Sequence, residues 1–315
     1  MTADLTMASK NNVLMEIVIG TYEKYLLGYN LEMNLDQFIL KPSFTTEAHI
    51  QSIKCIASSN KLLASGSIDE TIQLFNMKTR KEIGALQQHN GTITCLEFFD
   101  SYLFSSSEDK NICIWSTKNW QCEKTLRGHK DTINSFAIHP SGKMALSVGK
   151  DKTLRTWNLI KGRSAYVTNT KNVADIVHWT PDGSHFLVSS GNSIDVYSVE
   201  KATVVWTIDF NKKICDFTFI KDDIVAIGGE SEFIQFYDLK SKLKCFEIKV
   251  NTNRIKALKC VSASEETFLV SASSDGCIKI WHLDLSETEL KARKVAKVKT
   301  GSRPTCMAII LKSED

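Results

Sequence analysis

The sequence predicts an all-β fold: a seven-bladed β-propeller whose ring is closed by a C-terminal strand joining the first blade. Three observations carry this prediction. From Val13 onward, short apolar runs of strand length, rich in β-branched residues, alternate with turn residues. A set of four side chains (His, Ser, Asp and an aromatic) recurs at nearly constant spacing. An aromatic that ends the third strand of each unit returns every 40 to 46 residues, at Tyr29, Phe75, Trp115, Trp157, Tyr197, Tyr237 and Trp281. A four-stranded unit with a period of about 40–45 residues is the mark of propeller blades.

Taken in order, residues 1–12 are polar and read as a flexible N-terminus. Val13–Gly20 and Tyr25–Tyr29 alternate like the second and third strands of a blade, with no first strand before them. Pro304–Leu311 is a strand with no blade of its own. Blade one is therefore expected to be 13–41 plus the C-terminal strand 303–311, within a single propeller spanning 13–312, and 313–315 is a short tail. Closure of this kind removes open sheet edges.

Blade two carries His49, Ser65, Asp69 and Phe75; blade three carries His89, Ser105, Asp109 and Trp115; blade four carries His129, Ser147, Asp151 and Trp157. Blade seven repeats Ser271, Asp275 and Trp281, with Asn251 where the His would be. The spacing is that of WD repeats. The chemistry suits a structural chain: imidazole has a donor and an acceptor, so it can bridge Asp to Ser, and the Ser hydroxyl can pass the chain to the donor-only indole N–H. A Ser-His-Asp set also invites a hydrolase reading. One active site does not recur in blade after blade, however, and the sequence has no G-x-S-x-G elbow. The chain is therefore not expected to be an enzyme, and no metal or cofactor site is expected. Blade five (172–208) has Gly191–Asn192 in a shortened turn and no Asp, and blade six (212–248) has Ser231 in the Asp position. Residues 283–300, basic in their second half, read as a surface connection leading into a strand.

Composition is that of an ordinary globular chain: 315 residues, 43% hydrophobic, 24% charged, net charge +3. That charge is too small to argue for nucleic acid by itself. The nine cysteines show no C-x-x-C pair and no zinc spacing, and they read as reduced thiols of an intracellular protein. No N-terminal apolar segment is long enough for a signal peptide or membrane helix, so a soluble protein with no membrane partner is expected.

Function should then lie in the loops and the channel mouth. Positions flanking the first apolar residue of an inner strand, and the position before the turn Asp, share one rim in propellers of this type. Here they include Lys54, Lys150, Lys213, Arg254 and Lys256, opposed by Glu108 and Glu230. Blades six and seven thus offer a basic arc that suits an acidic peptide or RNA phosphate. Trp120 and Trp206 read as outer packing residues, while Trp179 could lie at the rim or in the core.

Several stretches go beyond a generic repeat. HPSGKMALSVGKDKTLRTWNLIKGRSA, GTITCLEF, SASSDGCIKIW and MEIVIGTYEKYLLGY resemble the WD-repeat proteins that interact with p21-activated kinases, a family that includes the fungal maintenance-of-killer homologues. The resemblance spans about Val13 to Lys312. It implies a monomeric, non-catalytic scaffold of the nucleus and nucleolus, serving pre-60S large ribosomal subunit assembly. Its partners would be pre-60S assembly-factor proteins and pre-rRNA. The alternatives it implies are a negative regulator of p21-activated kinase, acting on the kinase's regulatory region, and a generic WD-repeat adaptor.

Overall fold

Strands whose residues are apolar on both sides must be covered on both faces. Stacking sheets side by side around an axis does this. The computed structural model describes residues 12–34, 37–59, 61–250, 254–263, 266–285 and 290–312. It forms seven four-stranded sheets, all with antiparallel neighbours. In blades two to seven the strands run in chain order from the channel outward, as in blade four: Ile133–Ile138, Met144–Gly149, Thr153–Asn158 and Arg163–Asn169. Seven apolar clusters fill the gaps, one between each pair of neighbouring blades. Phe104 of blade three stacks on Phe136 of blade four at 5.6 Å, and Ile17 and Leu31 of blade one share a cluster with Phe268 and Ile280 of blade seven.

Blade one closes the ring. Its innermost strand is Pro304–Leu311, paired with Asn12–Thr21 from Met15–Leu311 through Thr21–Pro304. Its outermost strand, Gln37–Glu47, runs past the expected boundary at 41. There the strand absorbs Pro42 at a bulge instead of stopping. The stretch expected as a basic surface connection contains a strand of its own, Lys291–Lys299, the outermost of blade seven. Its alternation buries Ala296. Of the expected N-terminal arm 1–12, residues 1–11 lie outside the described residues, as does the tail 313–315, while Asn12 already pairs in the strand Asn12–Thr21.

Bulges recur with the blade. In all seven, the outer strand carries one extra residue opposite the aromatic that ends the third strand. In six, the inner strand carries an extra residue near its start. Both increase local twist, and an unpaired residue is re-aimed off the ladder.

The closure is locked by a buried carboxylate. Glu16, on the strand that pairs with the C-terminus, is fully buried. Its Oε1 lies 2.6 Å from Arg80 Nη1 of blade two, and its Oε2 lies 2.9 Å from Lys312 Nζ beyond the last strand. The Ser43 hydroxyl donates to Oε1 at 2.7 Å. Burial pushes the Glu16 carboxyl up, but the bonds from Arg80, Ser43 and Lys312 outweigh it and hold the group below the usual carboxylate range.

Glu16→Gln is expected to destabilise the fold by roughly 2 kcal/mol, less than for a wholly buried pair, because Arg80 and Lys312 reach solvent. Because the folded pKa is depressed, the contribution is complete above the ordinary value of 4.5 and is lost as pH falls through the folded value. Urea melts of the two proteins between neutral pH and pH 3 should therefore converge toward the acid end. A constant difference across that range would contradict the assignment.

Candidate functional site

Each blade-two-to-four tetrad begins in the loop entering the inner strand and ends in the third strand. In blade four, Trp157 Nε1 donates to Ser147 Oγ at 2.8 Å, Ser147 Oγ lies 2.7 Å from His129 Nε2, and His129 Nδ1 lies 2.9 Å from Asp151 Oδ2. The indole can only donate, so the hydroxyl accepts from it and gives its own proton to Nε2. The imidazole then donates from Nδ1 to the carboxylate. Asp151 also accepts from the backbone N–H of Lys130 at 2.9 Å and of Thr153 at 3.1 Å, tying the entry loop to the turn between the second and third strands. Burial holds the His129 imidazole below its ordinary value and outweighs the opposing pull of Asp151, so the neutral tautomer is the resting form.

Blade three repeats the geometry: His89 Nδ1 to Asp109 at 2.7 Å, Nε2 to Ser105 Oγ at 2.8 Å, and Trp115 Nε1 donating to Ser105 Oγ at 2.8 Å. In blade two, His49 joins Asp69 at 3.0 Å and Ser65 Oγ at 2.8 Å, and the chain ends at the Ser because Phe75 has no donor. The residue after each turn Asp (Glu70, Lys110, Lys152) sits in the left-handed region at φ between 57° and 72°. Ser65, Ser105 and Ser147 are at most 1% exposed. Their hydroxyls are committed within the chain and lie out of reach of a substrate, so these residues act as scaffolding.

Blade seven departs from this pattern. Asp275 accepts from Ser273 Oγ, and from Cys277 N at 3.1 Å, while Ser271 Oγ donates to the Lys279 carbonyl at 3.4 Å. The Trp281 indole N–H is buried without a partner among the described residues. Asn251, the residue at the His position, lies outside the described residues. Lys279, two residues before the Trp, sends its amine to the Val250 carbonyl. With no imidazole to bridge them, Ser271, Asp275 and Trp281 form no chain.

The rim cations fall into two groups. Lys54 and Lys256 are the extra residues of the inner-strand bulges in blades two and seven, and Thr305 holds the same place in blade one between them. Burial, and then the charges of Arg254 and Lys54, hold the Lys256 amine below its ordinary value. Arg254 pairs with Glu230 at 3.2 Å, and its Nε is buried with no hydrogen-bond partner among the described residues. Lys213 is exposed one blade away, its carbonyl accepting from Glu230 N at 2.9 Å. Lys150 belongs to blade four and is not part of this group. Trp179 is a core residue, its indole donating to the Ala137 carbonyl at 3.2 Å and its ring meeting His139 edge-on at 4.7 Å.

Sequence reasoning missed the channel wall. Side chains on one inner strand cap backbone N–H groups of the next: Glu97 to Ile138 at 3.1 Å, Ser135 to Val177 at 3.2 Å, and Asp216 to Leu258 at 2.8 Å. Burial pushes the Glu97 carboxyl up to about 8, and that of Asp216 also rises. Burial drives His178 down to about 3, helped by Lys259. A cavity of about 400 Å³ opens where blades one, two, three and seven converge, with Glu97, Lys259, Ile56 and Ile309 in its wall. The available signal was a lone acid inside an apolar run, as in TCLEFF and ICDFTF.

The fold and its repeated His–Ser–Asp–Trp chain define a WD-repeat propeller of the protein-interaction class. A family profile described as "WD domain, G-beta repeat" matches residues 40–76, 80–116, 120–158 and 244–282. The chain is 44% identical over 300 residues to a Danio rerio protein named "p21-activated protein kinase-interacting protein 1-like", covering 95% of this chain and 81% of that one. It is 40% identical to the Homo sapiens "p21-activated protein kinase-interacting protein 1", covering 94% and 77%. It is 29% identical to the Saccharomyces cerevisiae "Protein MAK11", covering 93% and 82%. The chain belongs to the p21-activated protein kinase-interacting protein 1 family.

Trp157→Ala is expected to cost about 3–5 kcal/mol, through the lost ring and the unsatisfied Ser147. Trp157→Phe should cost about 1 kcal/mol for its hydrogen bond in addition to the ring volume it loses. Trp281→Phe loses similar ring volume but no hydrogen bond, since its N–H has no partner among the described residues, so it should cost less than Trp157→Phe. Chemical denaturation of the three variants checks the ordering, and equal costs for the two Phe variants would refute it.

Proposed function

We propose that the protein is a non-catalytic docking platform for pre-60S large ribosomal subunit assembly, working as a monomeric propeller in the nucleus and nucleolus. Its partners are pre-60S assembly-factor proteins, together with pre-rRNA. The observation that carries this reading is the cluster of Lys54, Arg254 and Lys256 at the channel mouth, where among the described residues Glu230 alone pairs with one of the three cations. Two of them stand on bulges that lift them off the ladder. Such a cluster attracts an acidic segment or a phosphate backbone. The resemblance to the maintenance-of-killer homologues supplies the assembly context.

A second reading rests on the names of the animal relatives, which describe partners of p21-activated kinase. In it the propeller holds the kinase's regulatory region and keeps the enzyme inactive.

Sucrose-gradient sedimentation of tagged protein from nuclear extract separates the two. Under the assembly reading, the protein co-migrates with large-subunit rRNA precursors and leaves that position after RNase treatment. The triple variant Lys54→Glu, Arg254→Glu, Lys256→Glu is expected to lose co-migration while keeping its melting temperature. Migration of the wild type at the monomer position alone, with inhibition of purified kinase, would move the weight to the second reading.

A further inference from the structure

The outermost strand of each blade has a free backbone edge, and edges left open invite pairing. Five of the seven outer strands place a charge or proline inside the strand, as at Pro42, Glu82, Lys124, Glu247 and Lys294. The exceptions are blade four, RSAYVTN, and blade five, TVVWTID. In blade five the edge is partly covered: Lys242 of blade six donates to the Val205 carbonyl at 3.0 Å. In blade four, no side chain among the described residues bonds to the backbone of 163–169.

The same strand is also the least anchored. At the position where blades two, three, five and six bury Leu86, Leu126, Ile208 and Ile248 in their outer strands, blade four has the half-buried Thr168. None of the side chains of Arg163–Asn169 is buried. Tyr166 is 68% exposed, Val167 41%, and Ile160 in the preceding turn 74%. Cations bracket the edge. Lys161 and Arg163 stand at one end; Lys171 and Lys152 stand at the other, where Thr170 N donates to the Lys152 carbonyl at 2.8 Å. All four are exposed, and none forms an ion pair among the described residues.

We propose that this edge is a docking site for an extended segment of a partner protein, which adds to blade four as a fifth strand. The segment alternates β-branched or aromatic residues and carries acidic residues at both ends. Backbone bonds would supply the affinity, and contacts with Tyr166 and Val167 the selectivity. A second copy of this chain fits poorly, because antiparallel self-pairing would set the Lys161–Arg163 end against Lys171 and Lys152 of the other copy. A nucleic acid has no strand edge to complete the ladder. This surface is separate from the channel rim.

The test uses the full chain and a fluorescein-labelled nine-residue peptide of alternating Val and Thr with Asp-Glu at each end. Anisotropy titration is expected to show saturable binding. The double variant Tyr166→Lys, Val167→Lys should weaken it about tenfold or more, as edge lysines do, without changing the melting temperature. Leu243→Lys, on the exposed outer strand of blade six, should leave it unchanged. A peptide N-methylated on its backbone should not bind. Failure of the wild type to bind, equal affinity for the double variant, or retained binding of the N-methylated peptide would overturn the proposal. So would displacement of the peptide by single-stranded RNA of equal length, or a wild-type dimer in sedimentation that the double variant abolishes.

Discussion

Every sheet in this molecule has two apolar faces, and a ring is the arrangement that covers all of them. Each of the seven clusters lies between neighbouring blades, so a missing neighbour exposes two faces at once. The repeat in the sequence and the blade in space are out of phase by one strand. Each span matching the repeat profile starts in or just before an outer strand and ends in the third strand of the following blade. That offset makes blade one depend on both ends of the chain. Glu16 sits on the second strand of that blade, joined to blade two through Arg80 and to the C-terminal strand's end through Lys312. Three separate stretches thus meet on one carboxylate, which joins the closing blade to its neighbour.

Within a blade, the tetrad and the outer bulge solve one geometric problem. The Trp ring must fill the gap between blades while its N–H stays satisfied. Ser147 accepts that proton, and the His–Asp pair orients the Ser. Opposite the same aromatic the outer strand takes its extra residue, so the twist is set where the large side chain stands. Blade seven shows what happens when the pattern loses a member. Asp275 stays in its turn, Ser271 finds a carbonyl, and the indole N–H is left over.

Blade number, ring closure and three tetrads were legible because they are periodic. An aromatic every forty-odd residues fixes the register, and an orphan strand at each end has one partner available. The failures were local. Blade seven's Ser, Asp and Trp kept their spacing without the bridging imidazole, and spacing alone does not reveal a broken hydrogen-bond chain. The capping of inner-strand N–H groups by Glu97, Ser135 and Asp216 was hidden because it links residues in neighbouring repeats and the capping residue changes type from blade to blade. The strand Lys291–Lys299 is hard to see in the sequence because its lysines mask the alternation that buries Ala296.

Blade four joins a strong interior to a weak exterior. Its tetrad is complete, and Trp157 is 1% exposed. Its outer strand buries no side chain and puts Thr168 where four other blades bury Leu or Ile. A buried Leu or Ile contributes about 1.5–3 kcal/mol relative to exposure, so this outer strand lacks an anchor that its counterparts have. The deficit is confined to the outermost layer: the inner three strands are held by the tetrad and by the clusters on either side. Stability gathered near the axis therefore leaves the periphery free to vary. An outer strand that contributes little to the ring can present its backbone and its side chains to another protein without the propeller depending on the result.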